Sequence, residues 1–197
     1  MNGLTVRLKR MIDFTIAAVA LTFFLPWIGV CCYLVRREDG GKPIFKQERI
    51  GRFGKPFYIY KIRSMCVDAE KNGPALFQHE KDDRLTHVGK FLRLHHLDEL
   101  PQLYNVLRGD MAFIGPRPER KYYINKIQAI DPRYVCLYQV RPGVTSYATL
   151  YNGYTDTMEK MLRRLELDLY YLKHRSLWFD LKILTKTFIN IIFGKIF

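Results

Sequence analysis

A run of 22 uncharged residues, 14–35, does most to constrain this fold. As a straight helix it would extend roughly 33 Å at about 1.5 Å per residue, enough to cross the hydrocarbon core of a bilayer. Pro26 lies near its middle, where a missing N–H and a bulky ring bend or break a helix. Arg7, Lys9 and Arg10 precede the run and Arg36 and Arg37 follow it. Both flanks therefore carry the charge that favours the cytosolic side of a membrane. A helix that enters, turns at Pro26 and leaves on the same side satisfies both constraints, and full crossing is the alternative. No small-residue cleavage site follows, which disfavours a cleaved leader. A core helix is disfavoured by the length of the run and its lack of charge. The expected organisation is a re-entrant element with its flanks over residues 1–37 and a compact cytosolic-face domain over residues 38–197.

The charge balance narrows the partners. Net charge is +13, from 32 Lys and Arg against 19 Asp and Glu. Such an excess calls for an anionic partner: nucleic acid, acidic lipid or a phosphorylated substrate. Cys31, Cys32, Cys66 and Cys136 show no CxxC or Cys/His ligand spacing and read as free thiols of a reducing compartment.

Residues 44–65 alternate apolar and polar in places, with Gly51, Gly54 and Pro56 marking a turn, which predicts a β-hairpin. Residues 67–83 are polar and expected to be partly mobile. Periodicity predicts helices over 85–94, 97–107 and 119–130. A further helix starts at Asp156-Thr157-Met158-Glu159 and runs to about Lys173, with Met158, Leu162, Leu165, Leu169 and Leu172 on one face. Along residues 178–197, Trp178, Leu181, Leu184, Phe188 and Ile192 form a stripe apart from Lys182 and Lys186. That pattern suits a helix at the lipid interface or ordinary core packing. The expected fold class is mostly α with a small β-hairpin (α+β), with amphipathic interfacial helices beside the re-entrant one.

Chemistry concentrates in His95-His96-Leu97-Asp98-Glu99-Leu100-Pro101-Gln102 and the Gly115-Pro116-Arg117-Pro118 that follows. On a helix, Asp98 and Glu99 would point about 100° apart and line one pocket rim. Carboxylates at a helix start also serve as caps, so the residues alone leave capping open. The functional reading makes one carboxylate a nucleophile or base and the other a ligand to a hard cation. Mg²⁺ commonly takes one or two carboxylates plus phosphate oxygens. Arg117 lies between two prolines and Arg141 precedes Pro142-Gly143. Such stiff loops pre-position a guanidinium for bidentate phosphate contact. Lys61, Arg63 and Arg93 are further phosphate-binding candidates. The adjacent His95 and His96 make no metal set, and no GxGxxG or Walker-type loop is present.

Seven motifs, in order, resemble the bacterial sugar transferases that are monotopic phosphoglycosyl transferases. They are Lys9-Arg10-Met11-Ile12-Asp13-Phe14, Phe45-Lys46-Gln47-Glu48-Arg49-Ile50-Gly51, Tyr60-Lys61-Ile62-Arg63-Ser64-Met65, Leu97-Asp98-Glu99-Leu100-Pro101-Gln102-Leu103, Asn105-Val106-Leu107-Arg108-Gly109-Asp110-Met111, Gly115-Pro116-Arg117-Pro118 and Val140-Arg141-Pro142-Gly143-Val144-Thr145. The resemblance covers nearly the whole chain and is to the minimal catalytic form. It implies a re-entrant helix broken at Pro26, in the bacterial inner membrane, with the active site facing the cytoplasm. It implies transfer of a sugar phosphate from a UDP-sugar to undecaprenyl phosphate, with release of UMP. It makes Asp98 the nucleophile, Glu99 its metal-site partner or a base toward the acceptor, and Mg²⁺ the cofactor. The chain departs from the family at Leu25, where a serine is common, and at Arg37-Glu38-Asp39-Gly40-Gly41, which replaces a Ser-Pro-Gly turn. It departs again at Ser146-Tyr147-Ala148, where Gly-Trp-Ala is frequent.

Two other readings of the basic composition compete with this one. A non-catalytic membrane adaptor would use the same charge to recruit acidic lipid or a partner. A nucleic-acid module is disfavoured by the apolar run and by the lack of any recognised nucleic-acid motif, so no nucleic-acid partner is expected.

Overall fold

The computed structural model describes residues 1–71, 73, 82–153 and 155–193. Most of the 67–83 segment expected to be mobile, and residues 194–197 of the C-terminal stretch, lie outside them. Helix α1 (Gly3–Asp39) opens at Asn2, whose side chain accepts the Thr5 N–H at 2.9 Å. It closes at Gly40, left-handed at φ 72°, whose N–H bonds the Arg36 carbonyl. The backbone is helical through Pro26 as well. The proline removes one rung of the ladder, and the apolar turns on each side continue the helix.

Only 11% of the most apolar stretch of α1 is buried in the fold, so it is not a core helix. Its two ends nevertheless pack on one strand. Ala17 clusters with Phe57 and Ile59, and Cys31 and Val35 cluster with Ile62. Between those anchors, Val19, Phe23, Leu25 and Trp27 are exposed.

That strand is β2 (Pro56–Ile62), paired antiparallel with β1 (Ile44–Ile50) in the expected hairpin. The other edge of β2 meets a side chain rather than a strand. Asn105 of α3 (Gln102–Arg108) donates to the Tyr58 carbonyl at 2.7 Å and accepts the Tyr60 N–H at 3.2 Å. Fully buried, this amide satisfies strand groups that would otherwise be orphaned. Helix α2 (His87–Leu94), capped by Thr86, precedes α3.

The expected continuous helix over 97–107 is instead a 3-10 turn, Leu97–Glu99, followed by α3. Pro101 sits at the N-cap of α3, where its missing N–H costs nothing. His96 is left-handed at φ 55°, which turns the chain sharply before Asp98. Asp98 therefore lies on a tight turn rather than a helix face.

The two stiff basic loops emerge from a short parallel pair. Strand β3 (Ala112–Ile114) pairs with β4 (Gly143–Thr145), Ala112 opposite Gly143 and Ile114 opposite Thr145. The Gly143 N–H donates to the Pro116 carbonyl at 2.9 Å. A Cβ on Gly143 would lie 2.2 Å from the Gly115 nitrogen, and one on Gly115 would lie 2.3 Å from the Arg141 carbonyl oxygen. Only glycine lets the backbones approach this closely.

Helix α4 (Lys121–Ile130) ends at Asp131 as expected, but Pro132–Gln139 continues as 3-10 structure because proline is accommodated at its start. Helix α5 (Tyr147–Asn152) and α6 (Met158–His174) follow, with Ser146 and Thr157 as caps. The main core joins Tyr123, Ile124 and Ile127 to Tyr134, Leu137, Met161 and Leu165. The deepest face of α6 is Met161, Arg164, Leu165, Asp168 and Tyr171, rotated from the leucine stripe expected there. Met158, Leu162, Leu169 and Leu172 are only partly buried around it.

Helix α7 (Leu177–Ile192) docks through Ile183, which clusters with Ile114 and Tyr171, and through Asp180, which accepts the Tyr171 hydroxyl at 2.7 Å. Trp178, Leu181 and Phe188 of the expected stripe face outward. Leu184 of the same stripe packs against the Ile114, Tyr171 and Ile183 cluster, so the stripe is divided between core packing and an uncovered apolar face.

The contact between the two loops yields a stability prediction. Gly143→Ala should cost about 3 kcal/mol or more, because two backbones, not a yielding side chain, must move. A thermal midpoint equal to wild type would show that the pair is not as tight as drawn.

Candidate active site

Five of the seven predicted polar site residues converge. Asp98 and Glu99 come from the 3-10 turn, Lys61 from β2, Arg93 from α2 and Arg117 from the loop after β3. Lys61 Nζ donates to Glu99 Oε1 at 2.5 Å. Arg93 Nε donates to Ser64 Oγ at 3.0 Å, which aims the arginine from the end of β2. Arg117 is exposed between buried Pro116 and Pro118, and its guanidinium has no hydrogen-bond partner among the described residues.

The two carboxylates are driven apart electrostatically. Burial pushes Glu99 up, but the Lys61 and Arg117 charges and the Lys61 hydrogen bond overcome it and hold Glu99 at about 2. Asp98 is 4% exposed and makes no hydrogen bond to any described residue. Burial raises it, the Lys61 charge opposes, and the Glu99 charge raises it further. The site thus contains one fixed anion and one buried carboxylate of raised basicity, surrounded by cations. That is an arrangement for a nucleophile.

Among the described residues no group of three or more His, Cys, Asp or Glu side chains is placed to hold a metal. A site of two carboxylates still fits Mg²⁺, which keeps waters and takes phosphate oxygens from its substrate. Asp98 and Glu99 are the residues that would hold it.

Arg63 and Arg141 lie elsewhere. Arg63 is bound by both oxygens of Asp39 and donates to the Lys42 carbonyl at 2.8 Å, so it ties the end of α1 to the end of β2. Arg141 Nε donates to the Gly109 carbonyl at 2.8 Å, at the C-terminal end of α3.

The structure adds a support that sequence reasoning missed. Glu119, directly after Pro118, is buried between Arg49 of β1 and Arg164 of α6, at 3.0 and 2.6 Å. Burial pushes Glu119 up, but Arg164 and Arg49 hold it at about 2. One turn along α6, Asp168 accepts the Arg117 backbone N–H, so both ends of the Arg117 loop are fixed from α6. A sequence signal existed: Arg164 and Asp168 are spaced by four and fall on the face shared by Met161 and Leu165. Gln102, which follows Pro101, is 2% exposed, and its amide nitrogen has no partner among the described residues.

With this geometry in view, the comparisons are direct. The chain belongs to the bacterial sugar transferase family, whose sequence model matches residues 4–194. It is 39% identical over 187 residues to the UDP-N-acetylgalactosamine-undecaprenyl-phosphate N-acetylgalactosaminephosphotransferase of Aeromonas hydrophila, covering 95% of this chain and 44% of the relative. It is 40% identical over 190 residues to the UDP-glucose:undecaprenyl-phosphate glucose-1-phosphate transferase of Klebsiella pneumoniae, covering 95% and 40%. The enzyme of the same description from Caulobacter vibrioides is 41% identical over 182 residues, covering 91% and 67%. The chain thus spans less than half the length of the first two relatives.

Asp168 gives a pH test. Burial pushes it up from the ordinary 3.8 to about 7 against the opposing pull of Arg164. Between those values the folded chain holds a proton that the unfolded chain has lost, so this group's contribution to stability falls as pH rises from about 4 to about 7. Asp168→Asn removes that dependence. Its thermal midpoint should gain on wild type across this window and run parallel above it. A constant difference at all pH values would mean that Asp168 titrates normally.

Proposed function

We propose that this chain transfers a sugar 1-phosphate from a UDP-sugar to undecaprenyl phosphate, releasing UMP. The observation that carries this is Asp98, a buried carboxylate without a hydrogen-bond partner, beside the ionised Glu99–Lys61 pair. The named activities of the family relatives support the donor and the acceptor.

An Asp98 oxygen attacks the β-phosphorus of the donor. The bond from that phosphorus to the bridging oxygen breaks, and UMP leaves with the electron pair. An oxygen of the lipid phosphate then attacks the phosphosugar-aspartate, forming a lipid diphosphosugar and returning Asp98 as carboxylate. Splitting the transfer lets two bulky anions use one site in turn. Arg117 and Arg93 bind phosphate oxygens, and Lys61 keeps Glu99 ionised. When bound at Asp98 and Glu99, Mg²⁺ supplies charge neutralisation for the diphosphate.

The same reading sets the membrane geometry. Helix α1 enters the bilayer and returns to the cytosolic face as one bent helix, its bend falling at Pro26, where the ladder lacks a rung. Support comes from its two ends packing on the same strand while Val19, Phe23, Leu25 and Trp27 between them stay exposed. The uncovered apolar face of α7 lies along the lipid interface.

The deciding assay is UMP release by nanodisc-held protein given Mg²⁺, undecaprenyl phosphate and a panel of UDP-sugars. Asp98→Asn should lower it by about a thousandfold or more, the scale of losing a nucleophile, and an intact-mass adduct on wild type should vanish with it. Equal release from the variant would remove Asp98 as the nucleophile, no release from folded wild type across the panel would return the adaptor reading, and activity surviving thorough chelation would remove Mg²⁺. Topology has its own test. Single cysteines before residue 7 and after residue 37, placed in a variant lacking the native cysteines, should label from the same side of sealed vesicles. Labelling from opposite sides would mean a full crossing.

A further inference from the structure

At the far end of α3 from Asp98, five cations line one cavity: Lys9, Arg10, Arg52, Arg141 and Arg175, with Asp13 the carboxylate among the lining residues. Lys9 is already matched, lying 2.7 Å from Asp180 and 3.8 Å from Asp13. Among the described residues none of the four guanidiniums has an ion-pair partner at contact distance, and the single Asp13 carboxylate, shared with Lys9, acts on Arg10 and Arg141 only from farther off.

Three of them are fixed by backbone oxygens. Arg10 donates to the Val106 and Leu107 carbonyls at 2.5 and 2.7 Å, and Arg141 Nε to the Gly109 carbonyl at 2.8 Å. These are the last carbonyls of α3, the end of a helix that attracts cations. Arg52 Nε donates to the Gln139 carbonyl at 3.2 Å. For Arg52 and Arg141 the bonded atom is Nε, so the paired terminal nitrogens of each have no partner among the described residues. Burial, and the neighbouring Arg10 and Arg52 charges, pull Arg141 below its usual range. Like charges held this close and only partly solvated need an anion to offset their repulsion.

The walls indicate where that anion comes from. Met1 and Val6, at the start of α1, complete the cavity, beside the point where the apolar run begins. Lys9 also links α1 to α7 through Asp180, so the cavity lies where two apolar helices leave the domain.

We propose that this cavity is a second phosphate site, separate from Asp98, that takes the phosphate of an anionic phospholipid headgroup and so seats the foot of α1 on the domain. The forked guanidiniums match the paired oxygens of a phosphodiester. A soluble phosphate offers the same oxygens, and the experiment separates the two sources.

Full-length protein is released from phosphatidylcholine nanodiscs, with and without phosphatidylglycerol, into native mass spectrometry. Wild type should retain one phosphatidylglycerol. Arg52→Gln with Arg175→Gln should lower that retention about tenfold or more, as expected for lost charge-assisted hydrogen bonds. Asp98→Asn should retain it like wild type, which makes the result independent of the catalytic reading. In phosphatidylcholine alone, inorganic phosphate is added while the thermal midpoint is followed. Stabilisation by phosphate without lipid retention, lost in the double variant, would keep the site and make its ligand soluble. If wild type neither retains the lipid nor responds to phosphate, or if the folded double variant behaves as wild type in both, the proposal fails. Should the double variant not fold, the two wild-type measurements decide.

Discussion

A carboxylate can be buried only if something offsets its lost hydration, and nearly every buried acid in this chain has a fixed cation beside it. Glu99 has Lys61, Glu119 has Arg49 and Arg164, and Asp180 has Lys9. Asp168 takes the other course: it accepts a backbone N–H and is pushed up to about 7. Asp98 does neither. It is surrounded by cations but bonded to none of them, so its lone pairs are not committed to a partner in the resting fold. The pairs around it define its position as well as its electrostatics. Lys61 and Glu99 join β2 to the 3-10 turn, and Glu119 joins β1 and α6 to the Arg117 loop. Each pair spends its charge on position, which is the use for which a buried pair is best suited.

Hydrogen bonding to backbone does the same work where no charge is available. The hairpin is only two strands, too few to be stable alone. Asn105 closes its open edge from α3, and the residues at the two ends of α1 cover its apolar side. The 3-10 turn carrying Asp98 is thus held between a helix that hydrogen-bonds β2 and a strand, β2 itself, that supplies Lys61. A change at Asn105 would reach Asp98 without touching it.

Much of this was legible in the sequence, and the exceptions have physical causes. The hairpin, α2, α4, α6, α7 and the apolar run follow from periodicity and turn residues, which are local. The carboxylate pair and the Arg117 loop were legible because prolines and adjacent acids are local features too. What failed was one local conflict and two long-range ones. Pro101 and the left-handed His96 split a run whose leucine spacing reads as one helix. The α6 face turned because Arg164 and Asp168 found buried partners some 45 residues upstream in Glu119 and near it in Arg117, a gain no spacing rule counts. Arg63 and Arg141 carried the same residue type as Arg117 but were captured by Asp39 and by the end of α3. Residue type announces that a guanidinium will meet an anion or a carbonyl; the fold decides which.

That sorting gives the +13 charge a structure. Part of it is internal, matched with buried acids: Arg49 and Arg164 with Glu119, and Lys9 with Asp13 and Asp180. A second part, Lys61, Arg93 and Arg117, surrounds Asp98. A third part, Arg10, Arg52, Arg141 and Arg175, collects at the other end of α3, the first three pre-positioned by carbonyls that cannot neutralise them. Seven residues of helix rise roughly 10 Å, about one Debye length at physiological salt, so water and ions screen the two clusters from each other and each can take an anion of its own.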